Sequence, residues 1–161
     1  MIDSAVTSAA LLALVGIANV FGWIMAAEEI PQTIAKAMLS ITNDKYMIIL
    51  LINILLLIVG MFMETIAALI ILFPTLMAVA VQVGIDPVHF ATFAVLNLMI
   101  GLTTPPVGVC LFVCANIAKA PLSSVIKAIF PFLIGNIVVL FMVSYIPQLS
   151  LWLPNLLFGA K

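Results

Sequence analysis

The sequence predicts an all-α integral membrane protein, and three observations carry that expectation. The 161 residues are 66% hydrophobic and only 7% charged, with a mean hydropathy of +1.44, whereas soluble domains charge about a quarter of their residues. The apolar residues fall into runs long enough to be membrane helices, separated by short polar connectors. One run, without an ionisable side chain from Phe90 to Ala118, carries Gly101, Pro105, Pro106 and Gly108 near its middle. A continuous helix cannot pass through that stretch. Basic residues number five, all lysine, against six acids, for a net charge of −1; no basic face exists for nucleic acid.

Residues 5–27 form the first expected transmembrane helix, at about 23 residues against the roughly 20 needed to cross 30 Å of hydrocarbon. Gly16, Ala18, Asn19 and Gly22 lie mainly on one side of it and suit close helix packing. The preceding Met1-Ile-Asp3-Ser4 has no basic segment, and the run lacks a signal-peptide pattern. Glu28, Glu29, Pro31 and Gln32 end the run. Ile34, Ala37, Met38 and Ile41 then recur at helical spacing with Lys36 and Asp44 off the stripe, predicting an interfacial helix over 30–43.

Across residues 46–83 the only charged side chain is Glu64. A single helix of that length would measure about 57 Å, nearly twice the hydrocarbon thickness, so the chain must fold back. The turn is expected in Gly60-Met-Phe-Met-Glu64-Thr65. A first limb ending at Gly60 would be about 22 Å long, which favours a re-entrant helical hairpin whose tip stops inside the membrane. The alternative is two complete spans with Glu64 at the far surface. A buried carboxylate costs about 2.5–3.5 kcal/mol on insertion scales, so Glu64 belongs in a polar or watery place.

Gly84-Ile-Asp86-Pro87-Val-His89 is a connector in which Asp86 reads as an N-cap and Pro87 as the first helical residue. His89 is expected at the water interface. The helix that follows, 87–119, is discontinuous: Pro105 and Pro106 lack N–H groups, and Thr104 and Pro105, each preceding a proline, are pushed out of the α region. One half-helix should end near Gly101 and a second begin near Pro106 or Val107, with a few extended residues between. Asn97 and Asn116 flank this break. Cys110 and Cys114, four residues apart with no other cysteine, read as small packing residues. Pro121 to Ala128 opens a short polar helix start, residues 130–147 form the last transmembrane helix, and Trp152 takes an aromatic-belt position. Lys36 and Lys45 lie on one side of this topology and Lys119 and Lys127 on the other, so lysine counting does not orient it.

An exposed carbonyl in hydrocarbon costs several kcal/mol, so the break persists only where protein buries it or where it lines a wet cavity. The ending half-helix offers carbonyls and a negative dipole end to a cation; the starting half-helix offers N–H groups to an anion. Thr103 and Thr104 add hydroxyls. Such neutral oxygens suit Na⁺ better than Zn²⁺, which prefers His, Cys and carboxylates. The plainer alternative is a proline kink in a packed span.

Four strings bear on the choice: Ile58-Val-Gly60-Met-Phe-Met-Glu64, Ile70-Ile-Leu-Phe-Pro74, Gly84-Ile-Asp-Pro-Val-His-Phe90, and Asn97-Leu-Met-Ile-Gly-Leu-Thr-Thr-Pro-Pro-Val-Gly108. In these the chain resembles the C-terminal part of the large permease subunit of tripartite ATP-independent periplasmic transporters. The resemblance implies one inverted-repeat half of a secondary transporter in the bacterial inner (cytoplasmic) membrane, driven by a sodium gradient. Its substrate would be an organic acid of the C4-dicarboxylate or sialic-acid type, delivered by a periplasmic substrate-binding protein, with a small membrane subunit as partner. It also implies a sodium site at Gly60, Gly101, Thr104 and Val107, and substrate contacts at the level of Glu64, Thr65 and Thr103, with Pro105, Pro106 and Gly108 forming the break.

The remaining N-terminal half of the permease would complete the cavity, and without it the chain is expected not to transport. Two other classes compete. An ion channel or pore subunit would use the carbonyl-lined break as a filter, and a non-transporting scaffold would use it only for packing. No nucleophile and base stand at workable spacing, so an enzyme is not expected.

Overall fold

The computed structural model describes residues 44–63 and 65–159, with isolated positions before them at 9, 16, 20, 23, 24, 27–29, 33, 37, 38, 40 and 42. The expected helices 5–27 and 30–43 therefore lie largely outside the described residues, and Glu64 lies outside them altogether. Six helices follow in order: α1 (Lys45–Phe62), α2 (Thr65–Gln82), α3 (Pro87–Leu102), α4 (Val109–Ala118), α5 (Leu122–Tyr145) and α6 (Pro147–Phe158). Among them α1, α2 and α5 are long and apolar enough to cross a membrane. The chain is an all-α membrane protein.

The faces that pack are written at helical spacing. Ile48, Ile49, Ile52, Leu56 and Val59 of α1, Ala68, Leu72, Leu76 and Val79 of α2, and Phe90, Phe93, Ala94 and Leu98 of α3 form one buried core. Phe90 anchors it, with its ring 5.2 Å from Phe73 and 5.4 Å, edge to face, from Phe93. Lipid is as apolar as these side chains, so their gain lies in close packing rather than escape from water. By contrast α5 buries only a narrow stripe, Leu133, Leu140 and Ser144.

Three contacts fix the directions of the helices. The Lys45 ammonium donates to the Gly84 carbonyl at 2.9 Å, joining the start of α1 to the end of α2. Tyr145 at the end of α5 donates to the Tyr46 carbonyl at 3.3 Å and stacks on its ring. Its neighbour Ser144 reaches His89 near the start of α3. Thus α1 and α3 run one way, and α2 and α5 run the other. Asp86 caps α3 by accepting from the Val88 and His89 N–H groups at 2.8 and 3.2 Å, with Pro87 at the first helical position.

Helix ends differ from the sequence expectations in three places. The α1 helix continues through Gly60 to Phe62 and leaves only Met63 and Glu64 before α2. The segment between α3 and α4 is a series of turns rather than extended chain, with a cis Pro105–Pro106 peptide, and α4 begins at Val109. Gly108 caps α4 at φ +51°, a left-handed conformation that a side chain resists. Finally, α5 runs unbroken from Leu122 through Pro131. Proline is tolerated inside membrane helices where the freed carbonyl is satisfied otherwise.

Candidate cation site at the helix break

The last turn of α1 and the end of α3 come together through glycine. Gly60 and Gly101 approach so closely that a Cβ on Gly101 would stand 2.7 Å from the Gly60 carbonyl carbon and 3.2 Å from its oxygen. No side chain fits there, and the two backbones stand in direct contact. Beside the pair, the Thr65 hydroxyl opens α2 and points to the Met99 sulfur of α3 at 3.9 Å. Val59 and Met63, on either side of Gly60 in the chain, are buried.

At the end of α3 two of the orphan carbonyls that every helix leaves are taken up locally. The Ile100 carbonyl accepts from the Thr103 N–H at 3.1 Å, from the Thr103 hydroxyl at 2.9 Å and from the Thr104 hydroxyl at 2.7 Å. The Gly101 carbonyl accepts from the Thr104 N–H at 2.9 Å. Both threonine hydrogens are thereby committed to Ile100, which leaves the hydroxyl oxygens with lone pairs only. In that state a threonine is a cation ligand, not a donor. Thr104 is buried and Thr103 half-buried.

The other side of the break is the start of α4. Gly108 provides no capping side chain, and its carbonyl takes the Leu111 N–H at 2.7 Å. The Leu111 side chain packs over Gly108, and the Thr104 carbonyl lies 3.1 Å from where a Gly108 Cβ would be. Hence the turn 103–108 folds back on itself, with Val107 half-buried inside it and Pro106 exposed.

Of the expected cation ligands, Gly60 and Gly101 are in direct contact and Thr104 is hydrogen-bonded to Gly101, while Val107 stands in the turn three residues on. Of the expected substrate contacts, Thr65 and Thr103 border the same junction. The donor set is neutral oxygen beside the carbonyl end of a helix, which fits a monovalent hard cation. Among the described residues no cluster of His, Cys, Asp or Glu could hold a transition metal. Cys110 and Cys114 are both free thiols, half-buried and exposed.

Asn116, expected beside the break, and His89 both find other partners. Asn116 is exposed and donates to the Phe112 carbonyl of its own helix at 3.0 Å. His89, expected at the water interface, is buried, with Nε2 at 3.0 Å from the Ser144 carbonyl and Nδ1 at 3.2 Å from the Ser150 hydroxyl. A carbonyl only accepts, so Nε2 carries the proton and Nδ1 accepts from Ser150. An imidazole with both nitrogens partnered can leave water.

Asn97 is fully buried against Asn53 of α1, a residue that the charge pattern did not single out. Its Nδ2 donates to the Asn53 carbonyl at 2.9 Å and to Asn53 Oδ1 at 2.8 Å. Ser144 of α5 donates to the same Oδ1 at 3.2 Å.

Comparison with known proteins agrees with this architecture. Residues 1–149 match the family model described as "Tripartite ATP-independent periplasmic transporter, DctM component". The chain is 45% identical over 152 residues to an isethionate TRAP transporter permease protein of Oleidesulfovibrio alaskensis, covering 94% of this chain and 24% of that protein. It is 43% identical over 153 residues to the sialic acid TRAP transporter large permease protein of Vibrio cholerae, covering 95% and 36%. Identity to the C4-dicarboxylate large permease protein of Rhodobacter capsulatus is 40% over 157 residues, covering 98% and 36%. The chain thus spans between a quarter and about a third of the length of these relatives. It belongs to the DctM family of tripartite ATP-independent periplasmic transporters, whose large permeases are multi-pass proteins of the inner membrane.

Proposed function

We propose that this chain forms the part of a sodium-driven organic-acid permease in which a re-entrant hairpin, α1 and α2, meets a discontinuous transmembrane helix, α3 and α4, around one Na⁺. The single observation that carries this reading is the backbone contact of Gly60 with Gly101 at the break. The ligands are the Gly60, Gly101 and Val107 carbonyls and the Thr104 hydroxyl. Thr104 holds its hydrogen on Ile100 and turns a lone pair to the ion.

Helix lengths support the depth of the junction. From the end it shares with His89 and Ser144, α3 runs about 24 Å before it stops, while the opposed α5 runs about 36 Å. A break at that distance falls inside a hydrocarbon core of about 30 Å. The Gly60 end of the hairpin reaches the same level. At that depth the remaining carbonyl lone pairs have no water to meet, and a cation takes them up.

The substrate is an anion, since the uncapped start of α4 presents N–H groups and a positive dipole end across the same break. Thr65 and Thr103 border its side of the junction. Isethionate, sialic acid and C4-dicarboxylates appear in the names of the relatives and define the class to assay. The remaining half of the permease, a small membrane subunit and a periplasmic binding protein complete the transporter. Sodium and substrate should each tighten the binding of the other by the same factor, and the hairpin and broken helix move as one unit in alternating access.

The test is uptake of labelled organic acids into proteoliposomes holding the complete transporter and its binding protein. An inward sodium gradient should drive accumulation, and its collapse should stop it. Accumulation driven equally well without sodium would reject the ion assignment. A sodium current with no solute uptake would favour a pore.

A further inference from the structure

We propose that Asn53, Asn97 and Ser144 form a register latch between the hairpin, the broken helix and α5, and that they are positioning residues for the Gly60–Gly101 junction. This rests on the cation reading of that junction. Asn53 lies seven residues, two helical turns, before Gly60 on α1; Asn97 lies four residues, about one turn, before Gly101 on α3. Each asparagine therefore shares a helix face with the glycine it serves. Both are almost wholly buried, at 3% and 0% exposure.

The need for a latch follows from the junction itself. A glycine pair has no side chain to resist sliding, and the core around it is greasy and non-directional. Directional bonds supply the missing constraint. The Asn97 amide is bound twice by Asn53, through its backbone carbonyl and its Oδ1. A slip of α3 by one turn would break both bonds and strand two carboxamides in an apolar interface. A buried polar pair in an apolar helix seam is a known means of fixing register.

Ser144 closes the circuit. Its hydroxyl donates to Asn53 Oδ1 while its carbonyl takes His89 Nε2, so the path runs from α3 to α1 to α5 and returns to α3 two turns away from Asn97. Three helices are held at one relative height. Asn53 Nδ2, a donor group, and Asn97 Oδ1, an acceptor, have no partner among the described residues. Opposite polarity in the two free positions disfavours an ion of either sign there, which leaves the pair to position rather than to coordinate.

The test is the sodium dependence of uptake by the complete transporter in proteoliposomes, with rates normalised to folded protein. Asn97→Leu should raise the half-saturating sodium concentration by about tenfold or more, as loss of an outer-shell partner does at metal sites. Should Asn97→Leu fail to fold, the milder Ser144→Ala carries the test with a smaller rise, and Ser144→Thr, which keeps the hydroxyl, should restore the wild-type value. In the cycle of Asn97→Ala with Gly101→Ala the two effects on half-saturation should be less than additive, because both act on one junction.

A merely structural role would lower thermal stability and folded yield at unchanged half-saturation, and that result overturns the latch. If Thr104→Val raises half-saturation and the latch variants do not, the latch fails and the cation site stands. If the wild-type transporter shows no sodium dependence, both fail.

Discussion

Gly60 and Gly101 meet backbone to backbone, and the contact is not symmetric. A Cβ on Gly101 would fall 2.7 Å from both the Cα and the carbonyl carbon of Gly60, whereas one on Gly60 would fall 3.0 Å from the Leu98 carbonyl oxygen and 3.2 Å from the Cα of Gly101. Backbone atoms cannot rotate aside as a side chain can. Gly101→Ala must therefore separate the hairpin from the broken helix, with an overpacking penalty of about 1–3 kcal/mol. Gly60→Ala should cost less. Thermal unfolding of the purified transporter should rank wild type above Gly60→Ala above Gly101→Ala, and sodium-driven uptake should fall in the same order. Equal behaviour of Gly101→Ala and wild type would mean the helices do not touch here.

Thr104 tests the ion ligand separately from the packing. Thr104→Val keeps the shape but removes the oxygen and the 2.7 Å bond to the Ile100 carbonyl. That carbonyl still accepts from Thr103, so the stability loss should be small, about 1 kcal/mol. Sodium dependence should nonetheless weaken by about tenfold or more, and Thr104→Ser should retain it. Unchanged sodium dependence in Thr104→Val would remove the hydroxyl from the site.

Gly108 carries two constraints that can be separated. Its φ of +51° disfavours any side chain, at about 1–2 kcal/mol, and a Cβ would also stand 2.8 Å from Leu111 Cδ1. Gly108→Ala should lower the unfolding temperature. Adding Leu111→Ala removes the Leu111 clash, leaves the Thr104 carbonyl at 3.1 Å and opens a gap where Leu111 was buried, so the double variant should stay below wild type. Recovery to wild-type stability would show that the backbone conformation contributes nothing.

The residues that were legible in the sequence are those whose chemistry leaves a local mark. Pro105 and Pro106 announce the break because they cannot continue a helix, and Asp86-Pro87 announces the start of α3 because a capping side chain and a fixed φ act within one turn. Glu64 drew attention to the hairpin connection by its charge. Asn53, Ser144 and Ser150 left no such mark. They are neutral and isolated in apolar runs, and their partners lie between 44 and 91 residues away. The closeness of Gly60 to Gly101 was likewise implied only by resemblance, because glycine spacing alone does not say which helix comes near. The few extended residues expected between Gly101 and Pro106 are turns instead, since the rule for residues before proline constrains each residue and not the direction of the chain.

The end of the bundle opposite the break gives a graded test of how α3 is held. Asp86 accepts from two N–H groups at the start of α3, and its carboxylate also faces the positive end of that helix. Asp86→Ala loses the cap and the charge together, about 0.5–2 kcal/mol for the cap and up to about 1 kcal/mol for the dipole. Asp86→Asn keeps the acceptor and loses only the charge, so its effect should be a fraction of that. Lys45→Met removes a charged donor from the Gly84 carbonyl, but that bond is exposed and water can replace it. The expected order of unfolding temperatures is wild type, then Lys45→Met, then Asp86→Asn, with Asp86→Ala lowest. Asp86 lies about 20 Å or more along α3 from the break, and Lys45 lies as far along α1 from Gly60, so half-saturation for sodium should stay within about twofold of wild type. A variant that shifted sodium affinity without shifting stability would show that the start of α3 takes part in the ion site, against the separation of roles drawn from the geometry.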